Sequence, residues 1–219
     1  MKCVSDFKRA RQPEQIEQRR QDILRSAANL MAEKGFDQVS LNAIARGAGV
    51  AKSNLYRYFE SREEIFLTLL RQDWGEWLAQ FEQAAEPLEG SGDIQQLSGL
   101  IAATIADSPR MCELVSVLAS VLEQNLSEQA LLKFKTESMQ LGVHIMAIVQ
   151  KVLPGLPVDN LMLLGQTLFA LIAGLWPLGN PPESVQKVMS RPELAPFQMD
   201  FRPALELALN LMLKGASNP

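Results

Sequence analysis

The chain has 219 residues, of which 47% are apolar and 21% are charged, and its formal net charge is −4. This size and apolar content suit a folded protein with one large domain, or with a small domain joined to a larger one. Two distant cysteines and a single histidine, His144, exclude the usual zinc spacings, and no Ser-His-Asp set or glycine-rich phosphate loop is present, so we predict no metal, no cofactor and no enzymatic activity.

Charge is distributed unevenly along the chain. Residues 1–59 carry eleven Lys and Arg against six Asp and Glu, a net charge of +5, and the remaining residues have a net charge of −9. A basic N-terminal segment favours contact with a polyanion such as nucleic acid. The N-terminus has no apolar run typical of a signal peptide, so we expect a cytoplasmic protein with reduced cysteines.

The N-terminal third has the pattern of three helices. Apolar residues recur at helical spacing over residues 15–34, which predicts an amphipathic helix. Ser40 is positioned to cap a short second helix, and Gly47 and Gly49 predict a turn after it. A third helix is predicted over residues 52–59, with a polar and basic exposed side. Two short helices joined by a glycine-containing turn and packed on a first helix form a helix-turn-helix, whose second helix enters the major groove of DNA.

The rest of the chain is also predicted to be helical. Ser-Arg-Glu-Glu at residues 61–64 has the form of a capping box and starts a helix that runs to about residue 86. Further helices are predicted at about 94–106, 110–124, 127–153, 158–176 and 201–215, with one turn near 185–189. The predicted fold class is therefore all-α, with a three-helix helix-turn-helix domain in residues 1–60 and a helical bundle in residues 61–219.

The sequence of residues 39–64, VSLNAIARGAGVAKSNLYRYFESREE, closely resembles the DNA-binding signature of TetR-family regulators. The resemblance includes the Ala-Gly-Val turn, the Leu-Tyr-x-Tyr-Phe run and the Ser-Arg-Glu-Glu start of the next helix, and it covers roughly residues 15–75. It implies a transcriptional regulator that binds double-stranded DNA as a homodimer, usually a repressor that a small-molecule effector releases from a palindromic operator.

The resemblance also implies which residues contact DNA. Lys52, Ser53 and Asn54 match the exposed start of the recognition helix, where family members contact bases; Asn54 suits adenine and Lys52 suits guanine. The other candidates match positions that contact phosphates or flank the recognition helix, namely Ser40, Asn42, Tyr56, Arg57, Tyr58 and Arg62. Ala51 departs from the family pattern, in which Ser or Thr often caps this helix.

Beyond about residue 80 the resemblance implies only an effector pocket and a dimer interface. Large or flexible apolar side chains are candidates for the pocket, and the low charge of this region favours a largely apolar effector; the candidates are Trp74, Trp77, Phe81, Met111, Met139, Met146, Phe169 and Trp176. His144 is a further candidate as a hydrogen-bonding residue. The last two helices carry more apolar surface than one core needs, so we predict a four-helix dimer interface formed by Leu161, Leu164, Leu168, Leu171, Ile172, Leu205, Leu209, Leu211, Met212 and Leu213.

One segment has the composition of a membrane-spanning helix. Residues 160–182 carry no charge and are nearly long enough to span a bilayer, which takes about 20 residues. Gln166 and Thr167 lie in its middle, acidic residues flank it and Pro177 is expected to end the helix, so we predict a subunit-contact helix and no membrane span. Two other interpretations of the chain stay open: a helical interaction protein that has lost DNA binding, and a DNA-binding regulator without a small-molecule effector.

Overall fold

The computed structural model describes residues 13–217, which form ten α-helices joined by turns and short 3₁₀ segments, with no strand in this range. This confirms the predicted all-α class. The helices are α1 Pro13–Lys34, α2 Leu41–Gly47, α3 Lys52–Leu55, α4 Arg62–Ala85, α5 Ile94–Ala106, α6 Pro109–Val117, α7 Glu128–Val152, α8 Val158–Gly179, α9 Glu183–Met189 and α10 Phe201–Ser217.

The chain divides into two compact units between Leu69 and Leu70. Sequence analysis placed this boundary after residue 60, whereas in the structure it lies inside α4. The difference arises because the first two turns of α4 contribute to the N-terminal unit: Phe66 is fully buried and packs edge-on against Phe36, with 4.9 Å between ring centroids. The N-terminal unit (to Leu69) and the C-terminal unit (from Leu70) are described separately below.

The N-terminal unit has a continuous apolar core. Apolar residues of α1 recur every three or four positions, which places them on one face of the helix, and that face packs against α2. The buried apolar residues of α1 to α3 and their connections are Ile23, Leu24, Ala27, Met31, Phe36, Val39, Ile44, Ala45, Leu55 and Phe59. Helices as short as α2 and α3 are unstable in isolation, so this core is what holds them in place.

Side-chain caps set where α2 and α4 begin. The Ser40 hydroxyl accepts a hydrogen bond from the Ala43 N–H at 3.2 Å. The Ser61 hydroxyl accepts one from the Glu64 N–H at 3.1 Å, and the Glu64 carboxylate accepts one from the Glu60 N–H at 2.6 Å. The Ser40 cap is therefore confirmed, and Ser61 caps α4 as the capping box predicts, but the Glu64 carboxylate bonds to the N–H of the residue before the cap and not to that of Ser61.

In the C-terminal unit α10 packs along α5 and α8, and α6 packs against α8. The buried apolar residues of α10 are spaced by four, at Phe201, Leu205, Leu209 and Leu213. Polar contacts supplement this packing: the Asn210 amide donates to Gln95 Oε1 at 2.7 Å, and the Gln95 amide donates to Glu206 Oε1 at 3.1 Å. Because Asn210 is buried, this pairing fixes the register of α10 along α5.

Two helices of this unit end differently from the sequence prediction. α6 ends at Val117 and continues as a π-helical turn over Leu118–Leu122, where a regular helix to residue 124 was predicted. α8 runs past Pro177 to Gly179, so the prediction that Pro177 ends it is wrong. Proline at position 177 cannot donate to the carbonyl of Ala173, yet the helix continues for two more residues, and its end is closed by the Asn180 N–H donating to the Trp176 carbonyl at 2.9 Å.

Candidate functional site

The exposed side of α3 and the turn after it is polar and basic. α3 buries Leu55, and the following turn buries Phe59; both are 1% exposed or less. This anchoring directs the intervening side chains outward: Lys52, Ser53, Asn54, Tyr56 and Arg57 are exposed, and Tyr58 is half-buried. Ser40 and Asn42, at the start of α2, are exposed as well. Seven of the nine predicted DNA-contacting residues are thus exposed at the surface of the N-terminal unit, and Tyr58 and Arg62 are half-buried.

The connection between α2 and α3 is a compact turn that requires glycine. Gly49 has φ 65°, which side chains other than glycine rarely adopt. The Gly49 N–H donates to the Arg46 carbonyl and the Val50 N–H to the Ala45 carbonyl, at 3.2 and 2.9 Å, in the pattern of a Schellman motif. The turn therefore ends α2 sharply and sets the direction in which α3 begins.

α3 begins without a side-chain cap, as the alanine at position 51 predicts. Ala51 has extended backbone angles suitable for a capping residue, but a methyl group accepts no hydrogen bond. Its carbonyl does accept from the Asn54 and Leu55 N–H groups, at 2.9 and 3.2 Å. α3 thus depends on the burial of Leu55 more than on local capping.

Arg20 of α1 contacts the end of the recognition segment, a role that the sequence did not indicate. Its guanidinium donates to the Tyr58 carbonyl at 3.0 Å and lies 4.3 Å from the centroid of the Phe59 ring. Both contacts hold the residues that follow Tyr56 against α1. An arginine on an amphipathic helix is usually solvated, so only the tertiary structure identifies this positioning contact.

Arg62 is directed into the N-terminal unit, contrary to its prediction as a phosphate contact. Its guanidinium donates to the Phe36 carbonyl and lies over the Phe36 and Phe66 rings, 4.2 and 5.2 Å from their centroids. Burial lowers its pKa, against the opposing effect of Glu63 and Asp37. A guanidinium that is stacked in this way stabilises the start of α4 and is not displayed for DNA, so we remove Arg62 from the set of contacts.

Most of the aromatic residues predicted for an effector pocket form packed core of the C-terminal unit. Trp74 stacks on Phe134 at 5.7 Å between centroids and meets Phe169 edge-on at 6.3 Å. Trp77 stacks on Phe81 at 5.4 Å, and its Nε1 donates to the Thr104 hydroxyl at 3.1 Å. Ring stacking with a satisfied indole N–H is an ordinary core arrangement.

The other pocket candidates are dispersed. Met111 is buried and Trp176 is half-buried, whereas Met139 is 65% exposed. His144 is exposed too, with its Nε2 3.3 Å from Glu82 Oε1. The apolar pattern alone did not reveal that Met139 and His144 lie at the surface.

An apolar, half-open cavity of about 40 Å³ lies among α5, α7, α8 and α10. Met146 contributes to it, but none of the other predicted pocket residues does. Its lining comes mainly from residues predicted for the dimer interface and their neighbours: Ile101, Ile145, Met146, Val149, Leu161, Leu164, Gly165, Leu168, Leu209 and Leu213. The residues around this cavity are thus aliphatic, not aromatic.

The residues predicted for the dimer interface divide between buried and partly exposed positions of α8 and α10. Leu161, Leu205, Leu209 and Leu213, with Ile172, are buried within one chain, because α10 packs on α5 and α8 through these residues. Leu164, Leu168, Leu171 and Met212 are half-buried. The apolar residues that remain more than 60% exposed on these helices are Val158, Met162, Leu163, Leu178, Leu207 and Leu211, of which only Leu211 was predicted.

α8 is long and apolar enough to cross a membrane by length and composition alone, and only 11% of its most apolar stretch is buried inside the chain. A core helix would be mostly buried. Met162, Leu163 and Leu178 are exposed apolar side chains of α8, and exposed apolar surface of this kind often marks an interaction site.

A buried first helix, a short capped helix, a glycine turn and a recognition helix with an exposed basic side define a helix-turn-helix DNA-binding protein. Known families agree with this class. The model for bacterial regulatory proteins of the tetR family matches residues 23–69, and the model for the tetracyclin repressor-like C-terminal domain matches residues 71–219. The chain belongs to the TetR family of transcriptional regulators.

Individual relatives match over part of the chain. The chain is 33% identical over 61 residues to the fatty acid metabolism regulator protein of Bacillus subtilis, covering 28% of this chain and 31% of that protein. It is 32% identical over 96 residues to the transcriptional repressor KstR2 of Mycolicibacterium smegmatis, covering 42% of this chain and 44% of that protein. The chain thus spans less than half the length of the curated relatives it matches.

Solved structures share the fold over almost the whole chain. A transcriptional regulator from Rhodococcus sp. Rha1 superposes with a TM-score of 0.58 at 19% identity, covering 91% of this chain and 98% of that one. FadR from Bacillus subtilis, solved in complex with stearoyl-CoA, superposes with a TM-score of 0.57 at 17% identity, covering 89% and 98%. At these identities the likeness concerns the fold alone.

Proposed function

We propose that this protein is a cytoplasmic, homodimeric repressor that binds a palindromic operator and is released from it by a small, largely apolar effector. The observation that supports DNA binding most strongly is the exposed polar and basic side of α3, held outward by buried Leu55 and Phe59. Side chains of this kind at the start of a recognition helix suit the donors and acceptors of the major groove.

The proposed contacts divide into two classes. Lys52, Ser53 and Asn54 are assigned to base edges, with the Asn54 amide suited to adenine. The remaining residues are assigned to the phosphate backbone, where they set register and orientation: Ser40, Asn42, Tyr56, Arg57 and Tyr58. Tyr56 is 53% exposed, an unusual state for a large ring unless it meets a partner.

A second copy of the chain is the proposed partner for the exposed apolar faces of α8 and α10. Leu163 on α8 and Leu207 and Leu211 on α10 are each more than 60% exposed, and the described part of α8 carries one charge, Asp159, near its start. A twofold dimer would present two recognition helices to successive major grooves about 34 Å apart, which is why a palindrome is expected.

The effector is proposed to be apolar because the C-terminal unit offers aliphatic walls. Solved relatives of this fold include FadR in complex with stearoyl-CoA and RolR in complex with resorcinol, which are ligands of those proteins. For this chain the support is the cavity lined by Ile, Leu, Val and Met side chains.

The test of DNA binding is selection from random duplex DNA, followed by fluorescence anisotropy with the selected site at several salt concentrations. We expect a palindrome and a steep fall of affinity with salt. Tyr56→Phe removes only the hydroxyl and should weaken binding by about 0.5–1.5 kcal/mol on all sequences. Asn54→Ala should cost about 1–3 kcal/mol and relax specificity at one base pair in each half-site.

Gln83→Ala, at an exposed position of α4 in the C-terminal unit, is the matched control and should leave both properties unchanged. The proposed interface would be contradicted if selection enriched no sequence, or if the Asn54→Ala protein bound DNA with unaltered specificity. Enrichment of a single half-site would contradict the dimeric operator and leave the recognition helix in place.

A further inference from the structure

Gly165 of α8 is exposed although it lies between two buried residues of the same face. Gly165 follows Leu161 by four positions and precedes Ile172 by seven, so the three lie on one side of the helix. Leu161 and Ile172 are 5% and 6% exposed, yet Gly165 is exposed, and a Cβ added to it would meet no atom within 4 Å. The inward face of α8 therefore has an opening where glycine lacks a side chain.

This opening belongs to the cavity among α5, α7, α8 and α10, which we call the Gly165 groove. Its walls are Ile, Leu, Val and Met side chains together with Gly165, and they present neither a charged side chain nor an aromatic ring. A polar group inside the groove would lose its hydrogen bonds to water without replacement. An occupant must therefore insert an apolar part and leave any polar group at the solvent side.

The size of the cavity limits the shape of that apolar part. A cavity that accommodates a benzene ring in a Leu, Ile and Phe lining has a volume of about 150 Å³. The Gly165 groove encloses about 40 Å³, which is too small for a ring and suits the end of an unbranched chain. The half-open side gives the rest of such a chain a way out to solvent.

We propose that the Gly165 groove binds the end of an unbranched aliphatic chain, and that this chain is the apolar part of the effector. The inference rests on the proposed function, since it assigns a site and a chemical class to the effector of a regulator. It also explains why a helix with so many leucines has a glycine on its inward face: the missing side chain leaves the entrance through which the aliphatic chain passes.

Methyl NMR of the full-length protein labelled at methionine tests the location directly. Met146 lines the groove, and Met139, seven residues earlier on the same helix, is exposed and serves as the internal control. Dodecanoate below its micellar concentration should shift the Met146 methyl resonance in a saturable manner and leave Met139 unchanged. 2-Naphthol, a rigid aromatic probe, should leave Met146 unchanged.

Chain length provides the quantitative criterion. The groove holds only the end of the chain, so decanoate, whose end is the same, should bind about as tightly as dodecanoate. Each methylene that is missing from an apolar site lowers affinity about fourfold, so acetate, which has no methylene to place in the groove, should bind at least tenfold more weakly. Equal affinities for acetate and dodecanoate would overturn the proposal, because the carboxylate and not the chain would then be recognised.

Gly165→Leu places a side chain in the opening and should abolish dodecanoate binding, and the smaller Gly165→Ala should weaken it in part. Gly75→Leu is the matched control, because Gly75 is also an exposed helical glycine with no atom within 4 Å of an added Cβ, and should bind dodecanoate as the unmodified protein does. Unchanged binding by both Gly165 variants would overturn the assignment of the site.

Operator affinity is measured on the same samples. It distinguishes the proposed repressor function from the proposed aliphatic site in the Gly165 groove. Dodecanoate that shifts Met146 and lowers operator affinity supports both. A shift of Met146 with no change in operator affinity supports an aliphatic site and overturns its role as the effector site. Release of the operator by another compound that leaves Met146 unperturbed supports the repressor and overturns the Gly165 groove as its effector site.

Discussion

Gly47, the last residue of α2, is required by one close contact. A Cβ added there would come 2.3 Å from the hydroxyl oxygen of Ser26, which is buried and donates to the Ile44 carbonyl at 3.0 Å. The hydroxyl is held by that hydrogen bond and by its burial, so it cannot easily move aside. The close approach of α1 to α2, which supports the recognition helix, therefore depends on glycine at this position.

Gly47→Ala is expected to lower the free energy of unfolding by about 1–3 kcal/mol, because overpacking outweighs the gain of about 1 kcal/mol in helix propensity. Denaturant unfolding measures the change. Gly75→Ala is the control and should stabilise the protein by about 0.5–1 kcal/mol, since an added Cβ there meets nothing within 4 Å. A stabilising Gly47→Ala would show that Ser26 yields at no cost.

Cys112 is a buried thiol that should not react in the folded protein. It is 0% exposed, its sulfur donates to the Ile105 carbonyl at 3.3 Å, and burial raises its pKa from 9.0 to about 12. The folded state therefore keeps the proton that the unfolded state releases above pH 9. Its contribution to stability is full below pH 9 and is lost as the pH rises toward 12.

In a Cys3→Ser background, we expect Cys112 to resist a thiol reagent at pH 8 until the protein unfolds. Between pH 9 and 10.5 the free energy of unfolding should fall more steeply than in the same background with Cys112→Ala, by up to about 1.4 kcal/mol per pH unit. Equal slopes in the two proteins, or rapid labelling in native buffer, would contradict a buried neutral thiol.

At the residue scale, the sequence predicts well the residues whose roles depend on the local backbone, such as caps and turn glycines. It predicts the contacts of long polar side chains less well. Ser40 and Gly49 follow from capping and turn rules that involve only near neighbours. Arg62 has the same charge whether it meets DNA or stacks on Phe36, and the choice depends on a ring 26 residues away in sequence. The contact of Arg20 with Tyr58 depends on the tertiary fold in the same way.

At the scale of elements, an ion pair joins α4 to α6 in the C-terminal unit. The Arg110 guanidinium donates from two nitrogens to the two oxygens of Asp73, which is 8% exposed. Hydrogen bonding to Asp73 raises the pKa of Arg110, against the opposing effect of burial. Two parallel hydrogen bonds between one guanidinium and one carboxylate resist sliding of α4 along α6, because both bonds must break together.

Asp73→Asn should destabilise the protein by about 1–3 kcal/mol, less than for a fully buried pair because the Arg110 side chain is 38% exposed. Thermal unfolding measures the loss. Glu183→Gln, which breaks an ion pair with Lys187 that is exposed on both sides, is the control and should change stability by less than about 0.5 kcal/mol. Equal effects of the two changes would contradict the role assigned to the Asp73 pair.

Periodicity and end signals in the sequence predict the ten helices well, with bounds that differ by only a few residues in most cases. The exceptions have local causes. The π-helical turn at Leu118–Leu122 contains apolar and small residues that also suit a regular helix, so no end signal marks it. Pro177 lies within the last turn of α8, and the helix extends only two residues beyond it, so the proline marks the end of the helix to within one turn.

At the scale of the whole molecule, the assignment of apolar residues to core or interface could not come from sequence. Leu205 and Leu207 are two residues apart on α10, with 0% and 62% exposure. Both are leucine, and only the direction in which α10 packs against α5 and α8 distinguishes them. The proposed dimer therefore has to be tested at the residues that the fold leaves exposed.

Leu207→Glu should weaken dimerisation at least tenfold, because it places a charge at the centre of the proposed apolar contact. Sedimentation equilibrium measures the constant. Leu132→Glu is the matched control: Leu132 is 68% exposed on α7, outside the proposed interface, and its replacement should leave dimerisation unchanged. A Leu207→Glu protein that dimerises normally would place the subunit contact elsewhere.

α8 carries Gly165 and the cavity on one side and Met162 and Leu163 on its exposed side. If one helix contacts the effector on one face and the partner subunit on the other, effector binding and dimerisation are coupled. Such coupling is reciprocal, so each event changes the affinity of the other. The concentration of effector needed for derepression would then depend on how many copies of the regulator a cell holds. Gene dosage would thus set the threshold of the response as well as its amplitude.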